Sequence, residues 1–68
     1  MKMSKKTPSY VIKYFFARGY ADRVQNIESE APCSEVNDYY IEITGVNVVD
    51  QYNEGYAAAE KDRVNGIV

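Results

Sequence analysis

From Pro8 onward the apolar residues recur at helical spacing. Placed at 100° per residue, Ile12, Phe16, Tyr20, Val24 and Ile27 fall on one stripe, with Ala17, Ala21 and Tyr14 at its edge. The pattern predicts a first amphipathic helix over about 8–30 with that stripe as its core face. Thr7 followed by Pro8 suits its start, because a Thr side chain can cap orphan amides and proline is pre-set for the first helical position. Lys13 lies within the stripe near the first turn, where its stem can cover apolar surface while the ammonium reaches water. Pro32 then disfavours a helical Ala31 and predicts a break over residues 30–34.

The next segment changes period. Tyr39, Ile41 and Ile43 alternate with Tyr40, Glu42 and Thr44 in a run rich in β-branched and aromatic residues, which predicts a short extended or β segment at 39–44. The competing reading is a short helical turn capped by Thr44. From Val48 to Val64 the helical period returns: Val48, Val49, Tyr52, Gly55, Tyr56 and Ala59 share a face, opposite Asp50, Glu54, Ala57 and Lys61. Asn65 and Gly66 supply its stop. The predicted fold is mainly α: an antiparallel two-helix hairpin (about 8–30 and 48–64) with the extended segment between, forming a single small helical domain over 8–66 behind a basic flexible arm at 1–7.

Within the two helices a short pattern repeats. Phe16, Gly19, Tyr20 and Ala21 align with Tyr52, Gly55, Tyr56 and Ala57, 36 positions later, so that aromatic-x-x-Gly-Tyr-Ala occurs once on each. A glycine inside a helix costs about 1 kcal/mol against alanine, which close approach of two backbones can offset. Arg18 answers to Glu54 in the same alignment, and opposite charges there fit antiparallel helices crossing near their glycines. Tyr20 and Tyr56 are core residues in one reading and exposed interface anchors in the other. Over residues 14–24 and 50–62 the pattern resembles that of short bacteriophage early proteins with aromatic-x-x-Gly-Tyr helices, and is distantly similar to ribosome modulation factor. The resemblance implies a small effector directed at a host protein, acting in the host cytoplasm.

A second surface is predicted on the first helix. Val11 and Phe15 lie one turn apart, away from the predicted core stripe and beside Arg18 and Asp22. They form either an exposed docking patch, which a homodimer could also use, or a face covered by residues 39–49 folding back.

Composition narrows the chemistry. The 68 residues contain no His, no Trp and one Cys, Cys33, which excludes a histidine acid or base, a Cys/His zinc site and an internal disulfide. Cys33 has no His to activate it, and no pair of groups makes a nucleophile and base, so the reading is not an enzyme and requires no cofactor or metal. No stretch reaches the roughly 18 apolar residues of a membrane span, and the segment after Lys6 is no secretory core, which predicts a cytoplasmic chain with no membrane partner. Residues 1–34 carry six Lys/Arg against three acids and residues 35–68 two against seven, either because the halves fold together or because an acidic face meets a basic partner.

The leading expectation is a non-enzymatic protein-binding module, a phage-encoded inhibitor or modulator of a host or defence protein, contacting it through Val11, Phe15, Arg18, Tyr20, Asp50, Glu54 and Tyr56. In one version the acids of the second half imitate nucleic-acid phosphates. The alternative is a nucleic-acid or ribosome binder that uses Lys2, Lys5, Lys6, Lys13 and Arg18, with Tyr10 and Tyr14 stacking on unpaired bases.

Overall fold

A computed structural model of the chain describes residues 8–66, and the predicted arm at 1–7 lies outside them. The described residues form three helices: α1 (Pro8–Val24), α2 (Ser34–Thr44) and α3 (Val48–Val64). The fold is mainly α, as the periodicity predicts, with a shorter first helix and two larger differences from the predicted architecture.

The first difference is at 39–44, which is helical rather than extended. Local hydrogen bonds outweigh the β propensity of the run. Thr44 donates its hydroxyl to the Tyr40 carbonyl (2.7 Å) and accepts from the Val46 amide (3.2 Å). Gly45, at φ 76°, closes the helix in the left-handed conformation, its amide donating to the Ile41 carbonyl. α2 also supplies a cap to its neighbour. The Asn37 side-chain oxygen accepts from the Val48 amide (2.8 Å), while the Asn47 side chain accepts from the Asp50 amide (3.0 Å), so the first turn of α3 is satisfied from two directions.

α1 stops at Val24 rather than near residue 30. The Ile27 amide reaches back to the Asp22 carbonyl (2.8 Å) and the Asn26 amide to that of Arg23 (3.1 Å), with Asn26 at φ 62°. This is a Schellman ending with asparagine in the position glycine usually takes.

The second difference is direction. α1 and α3 run parallel, not antiparallel. Val11 near the start of α1 shares a cluster with Val48 at the start of α3. Towards the far ends, Arg23 pairs with Glu60 (3.8 Å) and Arg63 donates to the Asn26 side-chain oxygen (2.7 Å). Parallel helices cannot be joined by a tight turn, so the chain must travel back between them. Its return path is fixed at three points: Tyr56 donates to the Ile27 carbonyl (3.0 Å), the Glu30 amide donates to the Tyr52 hydroxyl (2.8 Å), and Asn37 caps Val48.

The two glycines lie where the parallel helices meet. A Cβ on Gly19 would strike the Tyr52 carbonyl oxygen, and one on Gly55 would strike the Phe16 carbonyl oxygen. The contacts are reciprocal across the repeat: each glycine meets the carbonyl of the other copy's aromatic position. This is a local pseudo-two-fold along the helix pair, with glycine hydrogens directed at carbonyl oxygens.

Close approach at Gly19 also sets the rotation of α1. The residues buried on α1 are Val11, Phe15, Gly19 and Asp22, not the predicted stripe, whose members Ile12 and Val24 are exposed. Val11 is 1% exposed and Phe15 9%, so they are core rather than a docking patch. Val46 and Val48 pack on them with Tyr40 against the cluster, which is the alternative in which residues 39–49 fold back over this face. On α3, Val48, Tyr52, Gly55 and Ala59 are buried, within the predicted face.

Candidate functional site

The one buried charged residue among those described is Asp22, and it sits in a polar centre built on the helix pair. Tyr52 donates to its carboxylate at 2.5 Å, and the Arg18 guanidinium lies 3.7 Å away, one turn earlier on the same helix. The Tyr52 hydroxyl also accepts from the Glu30 amide, so one phenol ties α3 to α1 and to the returning chain. Burial pushes the Tyr52 pKa up from the ordinary 10.0, the hydrogen bond to Asp22 adds to the rise, and the Glu30 amide opposes it. The phenol is thereby held protonated, the wrong direction for a phenolate base or nucleophile. The centre ties the helix pair to the returning chain.

Tyr20 and Tyr56 have similar structural duties. Tyr20 donates to the Asp62 carboxylate (2.7 Å), which raises its own pKa, and Tyr56 donates to the Ile27 carbonyl. Both rings are half-buried, and Tyr56 stacks on Tyr52 at a centroid distance of 6.2 Å and carries Arg23 over its face at 5.9 Å. Neither is the exposed anchor of the sequence expectation. Arg18 is exposed and pairs with Asp22, while Asp50 and Glu54 are exposed on α3. Of the seven predicted contact residues, Val11 and Phe15 are buried, Tyr20 and Tyr56 half-buried, and Arg18, Asp50 and Glu54 exposed. Among the described residues, no group of three or more His, Cys, Asp or Glu side chains is placed to hold a metal ion, and no helix is long and apolar enough to cross a membrane.

A different surface does emerge. Tyr10 stacks on Tyr14 (6.4 Å), Tyr14 meets Phe15 edge-on (5.0 Å), Phe15 meets Tyr40 (5.3 Å), and Tyr40 meets Tyr39 (5.2 Å). Five rings thus run continuously from α1 through the core to α2. Its two ends are open: Tyr10 is 59% exposed, Tyr14 48% and Tyr39 53%. Such rings present large, stiff, amphipathic area, and the buried Phe15 and half-buried Tyr40 fix them in place from beneath. The sequence signal for Tyr10 and Tyr14 is their i, i+4 spacing beside an exposed Lys13. Tyr39 was masked by the alternating pattern of 39–44, which assigned it to a strand.

No family model matches the chain, and no match was found among curated proteins or solved structures.

Proposed function

We propose that this chain is a non-enzymatic protein-binding module whose contact surface is the open aromatic ribbon of Tyr10, Tyr14 and Tyr39. The observation that carries the reading is the five-ring chain: Tyr10, Tyr14 and Tyr39 are held half-exposed on a rigid base, as anchors at protein interfaces are. The pattern shared with short bacteriophage early proteins supplies the setting, a phage-encoded modulator acting on a host or defence protein. Immobilised wild-type protein should retain a stoichiometric partner from bacterial lysate, and the Tyr10→Ser/Tyr14→Ser/Tyr39→Ser variant should not. Equal retention by both, or none by the wild type across hosts, refutes the reading.

A second reading rests on the stacked Tyr10–Tyr14 pair beside the exposed Lys13, an arrangement suited to unpaired bases. A low-salt gel shift with single-stranded RNA separates the two. A shift that disappears in the Tyr10→Ser/Tyr14→Ser variant supports nucleic-acid binding despite the net charge of −2.

A further inference from the structure

α2 buries no residue, yet it is divided into three stripes of identical register. Asn37, Tyr40 and Thr44 are half-buried and serve the fold through a cap, a ring contact and a back-bond. One position earlier along the chain, Val36, Tyr39 and Ile43 recur at i, i+3 and i+7, and all three are exposed. One position earlier again, Glu35, Asp38 and Glu42 repeat the same spacing and are also exposed. An 11-residue helix is marginal alone and draws its stability from packing, yet α2 leaves Val36 38%, Tyr39 53% and Ile43 46% exposed.

We infer that the Val36–Tyr39–Ile43 stripe receives a cationic amphipathic helix of a partner protein, whose basic flank lies on Glu35, Asp38 and Glu42. This deepens the protein-binding reading above and rests on it. Charge selects the occupant. Between Val24 and Glu60 the chain has no Lys or Arg, so no cation of α2 or its flanking segments neutralises the acidic stripe. A second copy docking through α2 would bring two such stripes together, and like charges at a rim oppose association. A partner carrying Lys or Arg beside its apolar anchors meets both stripes at once, the helix-on-apolar-face mode of recognition read at i, i+3 and i+7. With three anchors the contact is small, which places it among transient interfaces rather than obligate ones.

The probe is a 14-residue peptide made of two repeats of Leu-Lys-Lys-Leu-Leu-Lys-Leu, with the Glu-for-Lys peptide as its counterpart. Both are titrated into the full chain and followed by amide chemical shifts. The Lys peptide should perturb residues 34–44 first. Its affinity should fall at least tenfold in Tyr39→Ser/Ile43→Ser, where charge is unchanged, and at least tenfold in Glu35→Gln/Asp38→Asn/Glu42→Gln, where the apolar stripe is unchanged. The Glu peptide should not bind. The proposal is overturned if the Tyr39→Ser/Ile43→Ser variant binds the Lys peptide as well as the wild type, which is the behaviour of a phosphate-imitating acidic surface. It is equally overturned if the Glu peptide binds comparably, if the shifts fall elsewhere, or if sedimentation shows the wild type dimerising through α2. Any of these results, together with a partner whose capture still depends on Tyr10 and Tyr14, would remove the α2 proposal and leave the protein-binding reading standing. Loss of dependence on the tyrosines would remove that reading itself.

Discussion

Replacing Gly19 with alanine sets two effects of opposite sign against each other. Helix propensity favours alanine by about 1 kcal/mol, so in an isolated α1 the change is stabilising. In the folded chain the new methyl collides with the Tyr52 carbonyl oxygen, with the Tyr52 carbonyl carbon and the Tyr56 amide nitrogen each at 3.0 Å. These are backbone atoms on a helix and cannot swing aside as a side chain can, so α1 and α3 must separate. Overpacking of this kind typically costs about 1–3 kcal/mol, and separation also loosens the contacts among Val11, Phe15 and Val48. The cost is set by the rigid neighbour and falls at the upper end, leaving a net loss of about 1–2 kcal/mol. For a domain of this size that lowers the melting temperature by roughly 5–15 °C. Gly55→Ala should behave alike, since its methyl meets the Phe16 carbonyl. Because one separation relieves both clashes, the double variant should lose less than the sum of the singles. Thermal and urea unfolding followed at 222 nm measure all three, and Ala57→Gly on the exposed face, costing about 1 kcal/mol by propensity alone, is the control. A Gly19→Ala protein at least as stable as the wild type would refute the close parallel crossing.

Other consequences follow from the polar contacts. Tyr52→Phe removes the hydroxyl that bridges Asp22 and Glu30 and should cost about 1–3 kcal/mol in urea unfolding, because a buried carboxylate loses its donor. The same phenol gives an alkaline signature. Its folded pKa lies above the unfolded value of 10.0, so stability from it is complete below pH 10 and is lost as pH rises beyond, the unfolded chain releasing its proton first; Tyr52→Phe should flatten that decline, and an unchanged slope would contradict the assignment. Asn37→Ala should cost about 1 kcal/mol through the lost cap on α3 and should lower hydrogen-exchange protection in α2 more than in α1. Tyr10→Ser and Tyr14→Ser should each leave the melting temperature within the few degrees that about 0.5 kcal/mol represents, since both rings are half-exposed.

The two long helices, the chain break and the inward face of α3 were legible in the sequence because they depend on local signals: Pro8, Pro32, Asn65 with Gly66, and a clean period from Val48 to Ala59. The meeting of the glycines was legible too, through the repeat. Direction was not, because a two-fold repeat of aromatic-x-x-Gly-Tyr-Ala fits either orientation until the path of the connection is known, and the strand pattern at 39–44 hides the returning helix α2. Five of the six side chains at 39–44 carry strand propensity, while the contacts that end them as a helix are the Thr44 back-bond to Tyr40 and the left-handed Gly45. The rotation of α1 followed the same way: Ile12 and Phe16 make the better hydrophobic stripe by count, but burying Gly19 turns Val11 and Phe15 inward instead. With that turn, the surface assigned to Val11 and Phe15 became core, and Tyr10 and Tyr14 were left outside.

Parallel pairing of α1 and α3 has a consequence for where recognition can sit. The helix pair uses its side chains heavily: glycines at the crossing, Asp22 and Tyr52 beneath it, Tyr20 and Tyr56 on its flanks, each with a partner that substitution would strand. The returning segment is pinned at Ile27 and Glu30 by backbone groups, which constrains its path but not its side chains. α2 is constrained least, since the fold asks of it a cap from Asn37, a ring from Tyr40 and a stop at Thr44 and Gly45. Positions 36, 39 and 43 lie outside the buried core, and exposed apolar groups there carry a cost in solubility. That they are Val, Tyr and Ile, in step with an acidic stripe and continuous with the ring chain leading to Tyr14, is the arrangement expected of a helix kept for contact with another molecule.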